Sequence, residues 1–449
     1  MQQRNYLSQS AFGTLLVVVA LFVLYLIPEF DIGSFHFKRI NLLSDILKKE
    51  NKQQQAGVDS IKRIKPVFAD TCKAGITCIE DYTADTSGMN AFFAALSQSH
   101  KQPVRVAWFG DSYVEGDIML DPLRDSLQAI FGGSGVGFVP ITSEVAGFRE
   151  TIKHSFSDWT TYSIVGTRED AHPLGFGGYT VSPKAGNHVL YTPIKRQRLN
   201  QFTSAKLFYG QCKGGQVFIN DSINYLRATA SLPLGMLNIN HSLGSLKISV
   251  PDSNKVDLYG VSFEGNTGVT IDNFSMRGNS GIGLAYINEA MYKAVDTLHH
   301  YNLVVLSYGL NVASEKAKNY DWYVKGMNKV IKMIKRSFPN SSILLIGCSD
   351  RAEKIDGEYQ TMPMLKELID VQRQMAIDNQ ICFWNLFEAM GGDSTMVNWA
   401  NMERHPYANK DYTHLTFYGG KKVADIITGT LLYEKEKYDR KKKILPQKN

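Results

Sequence analysis

Short apolar runs alternating with amphipathic stretches narrow most sharply what this chain can fold into. "VRVAWFG" (104–110) precedes "MLDPLRDSLQAIFG" (119–132), and "NLVVLSYG" (302–309) precedes "DWYVKGMNKVIKMIKRSF" (321–338). "SSILLIGC" (341–348), "PMLKELIDVQRQMAIDN" (363–379) and "ICFWNLF" (381–387) continue the pattern, and "TFYGGKKVADIITGTLLYEK" (416–435) closes it. Each run has strand length and each stretch carries apolar residues at helical spacing. Strands apolar on both faces with helical crossovers make a parallel sheet covered on both sides. Residues 146–262 break the rule. They are rich in Gly, Ser, Thr, Asn and aromatics, with short pieces such as "HVLYTPI", "GQVFIN" and "LKISV" bounded by turn residues. That is the signature of an all-β sandwich, so the α/β domain is split by a β insert.

The chain has 449 residues, 44% of them hydrophobic, enough for two or three cores. Its net charge of +6 is small for this length, and no basic stripe interleaved with aromatics appears, so nucleic acid is not an expected partner. The expected organisation is a membrane anchor (1–30), a Lys/Gln-rich stalk (31–88), a first α/β part (89–145), the β insert (146–262), a second α/β part (263–433) and a basic, solvated tail (434–449). The anchor rests on Ala11 to Ile27, 17 residues without a charge at the short limit for a bilayer core. No small-x-small cleavage site follows, which favours an uncleaved transmembrane helix and a periplasmic or otherwise extracytoplasmic body. Five cysteines are too few for a disulfide scaffold; Cys72 and Cys78 are close enough to close one small loop, whereas Cys212, Cys348 and Cys382 read as small core residues.

"FGDSYVEGD" (109–117) places Ser112 directly after an apolar strand, where ligands bind in open α/β sheets. A serine at this place is either a helix N-cap or a nucleophile, and a nucleophile needs a base with its own orienting group. Of ten histidines, His414 has a carboxylate three residues before it, Asp411, in "NKDYTHLTFYGG". His405 is the alternative base but lacks such a carboxylate. Asp111 reads as a structural residue of the loop, and Asp117 and Arg277 either shape a pocket or stabilise the fold.

These residues carry a resemblance. The chain resembles the SGNH/GDSL hydrolase superfamily, whose four blocks contribute Ser, Gly, Asn and His in that order. "GDS" (110–112) is similar to the first block, "SMRGNSG" with Gly278 to the second, "YGLN" with Asn311 to the third, and "DYTH" with Asp411 and His414 to the fourth. Gly281 competes with Gly278 for the close approach, and "GLN" is also ordinary turn chemistry. "FGDSYVEGDIMLDPLRDSLQAIFGGSGVGFVP" and "GVSFEGNTGVTIDNFSMRGNSG" further resemble the peptidoglycan O-acetylesterase branch, in which a carbohydrate-binding-module-like β-sandwich interrupts the hydrolase domain. Two positions depart from that branch: Tyr113 stands where His is usual, and Val312 follows Asn311 in place of an acid. The resemblance implies a flavodoxin-like three-layer α/β/α hydrolase domain and a Ser112–His414–Asp411 triad. It also implies an oxyanion hole from the Ser112 and Gly278 amides and the Asn311 side chain. The implied activity is an O-acetyl esterase acting on an acetylated glycan, peptidoglycan or a cell-surface polysaccharide, with no metal or organic cofactor. An O-acetyltransferase with a membrane acyl-donor partner uses the same residues, and a vestigial glycan-binding protein is the non-enzymatic alternative.

Overall fold

The computed structural model describes residues 72–444, apart from 201, 241–243, 252–254 and 315–318, together with a few positions before residue 38. The chain divides into two units, Met1–Val67 and Phe68–Asn449. In the first, Phe30–Ile32 pairs antiparallel with Phe35–Phe37.

The second unit is built on a sheet whose parallel strands are β1 (Pro103–Gly110), β2 (Gly268–Ser275), β3 (Leu303–Ser307), β4 (Ser342–Ile346) and β5 (Cys382–Trp384). Their spatial order is 2-1-3-4-5, with Glu80–Asp81 antiparallel at the far edge beside β5. This is the doubly wound order whose topological switch lies between β1 and β3. β3 and β4 are buried at every residue, as strands covered on both faces must be. The longer helices are α1 (Leu120–Phe131), α2 (Glu289–His299), α3 (Asp321–Ser337), α4 (Leu365–Asn379) and α5 (Phe417–Ile444). Cys72 and Cys78 are disulfide-bonded, while Cys348 and Cys382 are free and buried.

Between β1–α1 and β2 lie two antiparallel sheets. One holds Leu234–Asn240, Ser204–Gly210, Leu258–Glu264, Tyr179–Ser182 and Thr160–Ser163, and the other Ser222–Leu226, Gly215–Ile219, Leu246–Ser249, His188–Pro193 and Ile152–Phe156. Val139, Val217, Ile248, Val261 and Phe263 belong to the core between them. Gly137–Pro140 also pairs with Leu258–Glu264, so the sandwich recruits residues before 146. The turn into that strand needs glycine: a Cβ at Gly135 or Gly137, both at positive φ, would stand 2.3 or 2.2 Å from a backbone oxygen.

The first sheet's other face enters the core of the α/β domain. Phe138, Phe176, Phe208 and Phe274 pack edge-to-face or tilted, with Phe138 and Phe274 centroids 5.1 Å apart. Beside them runs a buried ionic seam. Arg105 of β1 donates to both carboxylate oxygens of Glu264, at 2.7 and 2.9 Å, and Lys206 pairs with the same carboxylate.

Two expectations are corrected. Of Ala11–Ile27 only Phe12 and Leu15 are described residues, so the expected span falls almost wholly outside them. Among the described residues no helix is long and apolar enough to cross a membrane. The longest, α5, has 28 residues but is studded with lysine and glutamate. The anchor and the periplasmic placement built on it are withdrawn. Nor is the segment from 434 a loose tail: α5 continues to Ile444, because Tyr438 is buried against Phe93, centroids 5.8 Å apart, and Lys435 pairs with Asp439 one turn on.

The seam yields a prediction. Burial works against the Glu264 charge, but the Arg105 hydrogen bonds and the nearby His299, Arg105 and Lys206 charges outweigh it and hold the pKa at about 2, below the ordinary 4.5. A depressed carboxyl pKa stabilises the fold above pH 4.5, and the effect fades as pH falls through 2. Glu264→Gln should therefore cost about 3–5 kcal/mol at pH 7, as expected when a buried pair loses one partner. Thermal denaturation at pH 7 and pH 3 should show the gap to the parent shrinking in acid; an equal gap at both would sink the account.

Candidate active site

Three adjacent strand ends converge at the switch point. Ser275 of β2 and Ser307 of β3 both stand level with Gly110 of β1, and Met276 N–H bonds Gly110 O at 3.0 Å. Ser112, Gly278 and Asn311 thus follow the carboxyl ends of β1, β2 and β3. Gly110 is fixed by packing, since a Cβ there would fall 2.3 Å from Val114 Cγ2. The chain then turns through Ser112 into a 3₁₀ turn, Glu115–Asp117.

Asp117 holds this turn. It is 1% exposed and carries positive φ. Its carboxylate accepts from Arg124 of α1 at 3.2 and 3.3 Å, Arg149 at 2.9 Å, Thr151 at 2.9 Å and Asn273 of β2 at 2.8 Å. Burial opposes the charge, but the two guanidiniums and the hydrogen bonds drive the Asp117 pKa far below the usual carboxylate range. Sequence reasoning left Asp117 between pocket and fold; it is a buried structural hub.

His414 arrives from the loop before α5. Ser112 Oγ and His414 Nε2 are 2.9 Å apart, and His414 Nδ1 and Asp411 Oδ2 are 2.7 Å apart. Asp411 Oδ1 also accepts the main-chain N–H groups of Thr413 and His414, each at 3.0 Å. Partial burial raises the Asp411 pKa, but these donors and the imidazole bring it below the ordinary value. A charged carboxylate only accepts, so Nδ1 carries the proton and Nε2 of the neutral ring is the acceptor facing the Ser112 hydroxyl. The pair is open to solvent, with side-chain exposures of 41% for His414 and 49% for Asp411. The His405 ring packs tilted against Tyr418, with centroids 4.3 Å apart.

Asn311 and Gly278 are also drawn together. Asn311 Nδ2 donates to Asn279 O at 3.1 Å, and Asn279 Oδ1 accepts Gly281 N–H at 2.9 Å. Gly278 has φ +74° and no atom within 4 Å of where a Cβ would stand, so the backbone conformation, not crowding, is what favours glycine there. At Gly281 a Cβ would strike Tyr308 and Met327 at 2.8 Å, so that glycine serves packing. Asn279, which clasps the two loops, went unread; only its place in "RGNSG" hinted at it. Tyr113 is buried with its hydroxyl on Met390 Sδ at 3.4 Å, and Val312 is buried, so both departures are core residues here. Arg277, largely exposed, pairs with buried Glu115 at 2.8 Å.

No family model and no curated protein matches the chain. Among solved structures, a peptidoglycan O-acetylesterase superposes with a TM-score of 0.67 at 20% identity, over 80% of this chain and 99% of its own. The chain has the SGNH/GDSL hydrolase fold. Its structural neighbours include an acetyl xylan esterase, 22% identical over 36% of this chain and 80% of its own (TM-score 0.28). A family two carbohydrate esterase from Clostridium thermocellum, in complex with cellohexaose, is 10% identical over 61% of this chain and 99% of its own (TM-score 0.26).

A second carboxylate lies beneath the site of this SGNH-fold chain. Asp111 Oδ1 accepts Tyr113 N–H at 3.0 Å, the structural role expected of it. Complete burial pushes its pKa up from 3.8 to about 6, with the Tyr113 N–H and the His414 charge pulling back. The folded state thus prefers protonated Asp111. That preference is fully present below pH 3.8 and is lost as pH rises through 6, at a cost of about 3 kcal/mol. Asp111→Asn keeps the acceptor for Tyr113, so it should gain thermal stability over the parent between pH 4 and pH 7. A difference that does not grow with pH would rule this out.

Proposed function

We propose that this protein is a serine-dependent carbohydrate O-acetyl esterase, with peptidoglycan as the first substrate to test. The observation that carries the reading is the continuous hydrogen-bonded line Ser112–His414–Asp411 at the carboxyl end of β1. The SGNH/GDSL fold, and the peptidoglycan O-acetylesterase that aligns over nearly its whole length, support the substrate class.

In the proposed reaction His414 Nε2 takes the proton of Ser112 Oγ as it attacks the acetyl carbonyl carbon. Negative charge gathers on the carbonyl oxygen, met by the N–H groups of Ser112 and Gly278 and by Asn311 Nδ2. Asp411 keeps the imidazole in the required tautomer and stabilises its cation. The imidazolium then gives its proton to the departing sugar oxygen, leaving acetyl-serine. Water, deprotonated by His414, attacks the acetyl-serine; the imidazolium returns that proton to Ser112 Oγ as the Oγ–acyl bond breaks, and acetic acid leaves and ionises to acetate. The half-exposed His414 and Asp411 favour water as acceptor, which supports hydrolysis over acetyl transfer.

Acetate release from O-acetylated peptidoglycan, and from an O-acetylated polysaccharide, tests the reading. Ser112→Ala should lower kcat by about 10⁴-fold or more. Asn311→Ala should lower it about 10²–10³-fold, in proportion to a lost oxyanion donor. Release that survives in Ser112→Ala would refute the mechanism. Sugar acetylation replacing acetate release when a glycan acceptor is added would move the assignment to a transferase.

A further inference from the structure

Among the described residues most large aromatics are buried, but an exposed pair flanks the turn after Ser112. Phe148, from the loop that opens the β insert, and Phe417, the first residue of α5, stack with centroids 5.3 Å apart and planes 24° from parallel. They remain 46% and 42% exposed. Each is tied to the site by its neighbours. A Cβ on Gly116, four residues after Ser112, would lie 2.4 Å from the Phe148 ring. Phe417 follows His414 by three residues, and the start of its helix abuts the same turn, since a Cβ at Gly420 would strike Ile118 O at 2.0 Å. Tyr418, 52% exposed, extends the aromatic surface.

Two half-exposed phenylalanines held together at a site mouth are costly to leave in water and characteristic of a binding surface. Beside them the chain offers hydrogen-bonding groups. A recess of about 40 Å³, room for a group such as a hydroxymethyl, shares Gly116 with the Phe148 contact and is lined by Glu115, Ser143, Glu144, Tyr179 and Ser275 together with Phe138, Val145 and Phe274. A flat apolar face next to polar notches matches one ligand chemistry. A β-linked gluco-configured pyranose presents axial C–H bonds on its faces and hydroxyls around its edge. An aromatic ring takes the face and side-chain oxygens take the edge.

We propose that Phe148 and Phe417 form a pyranose-binding subsite that holds one ring of the glycan beside the residue whose acetyl group faces Ser112. The proposal rests on the glycan-esterase reading and adds where the chain is gripped: half of the platform comes from the β insert and half from the hydrolase domain.

The test is binding, so it does not depend on turnover. Tetra-N-acetylchitotetraose is titrated calorimetrically into the full chain carrying Ser112→Ala, and into the same protein with Phe148→Ala, Phe417→Ala or Phe148→Tyr. The expected result is binding by the parent, a loss of about tenfold or more in each alanine variant, and affinity retained by Phe148→Tyr. Melting curves on each variant show whether a loss comes from unfolding, and Phe148→Tyr keeps the test decisive if an alanine variant does not fold. No binding by the parent, or equal affinity in the alanine variants, overturns the subsite. Absence of serine-dependent acetate release alongside intact binding would instead refute the esterase reading and leave the subsite standing.

Discussion

Asp117 is the constraint on which the site depends. A lone carboxylate buried to 1% exposure would be costly, but this one lies between two guanidiniums and two neutral donors, all within 3.3 Å. Buried clusters of this kind contribute little net stability against apolar replacements but are severely damaged by loss of one member. What the cluster supplies is position. Arg124 belongs to α1, Arg149 also donates to Val136 O and Phe138 O at the start of the insert, and Asn273 belongs to β2. The turn that presents Ser112 is thereby fixed to a helix, to the sandwich and to the neighbouring strand at once.

That arrangement gives the insert a structural part in the site. Its first sheet closes its own core on one face, and Phe138, Phe176 and Phe208 enter the α/β core on the other. The Arg105–Glu264 pair then joins β1 to the last insert strand, which leads almost directly into β2. With two seams of buried charge and one of aromatics, the sandwich is continuous with the scaffold of the loop that carries Ser112. The 2.9 Å contact between Ser112 and His414, 302 residues apart, is held by this shared frame.

The elements legible in the sequence were those governed by local pattern. The apolar strands, the amphipathic helices and the β character of the middle follow from periodicity, and Ser112, Asp411 and His414 from residue type at a strand end and a helix mouth. What escaped was tertiary. Gly137–Pro140 reads as part of the first α/β segment, and only its pairing with Leu258–Glu264 assigns it to the sandwich. Asp117 and Arg149 look like ordinary polar residues until the fold buries them together. The "YEKEKYDRKKK" run reads as a solvated tail, yet burial of Tyr438 on Phe93 holds it helical. The uncharged stretch 11–27 suggested a membrane helix on composition alone, and no helix among the described residues supports that expectation.

Two carboxylates near one histidine show how environment assigns roles. Asp411 is half exposed and receives two main-chain N–H bonds besides the imidazole, so it keeps its charge well into acid. Asp111, sealed beneath the loop, gives up its charge near pH 6. A group that must steady an imidazolium has to be charged when the proton arrives, and of the two Asp411 meets that condition over the wider pH range. Asp111 has a different demand placed on it, since its Oδ1 accepts Tyr113 N–H in either protonation state and so shapes the turn around Ser112. Burial makes Asp111 a poor counter-ion while leaving it a good hydrogen-bond acceptor. In the proposed reaction the orienting role therefore falls to Asp411 through solvation as much as through the three-residue spacing that first drew Asp411 and His414 together.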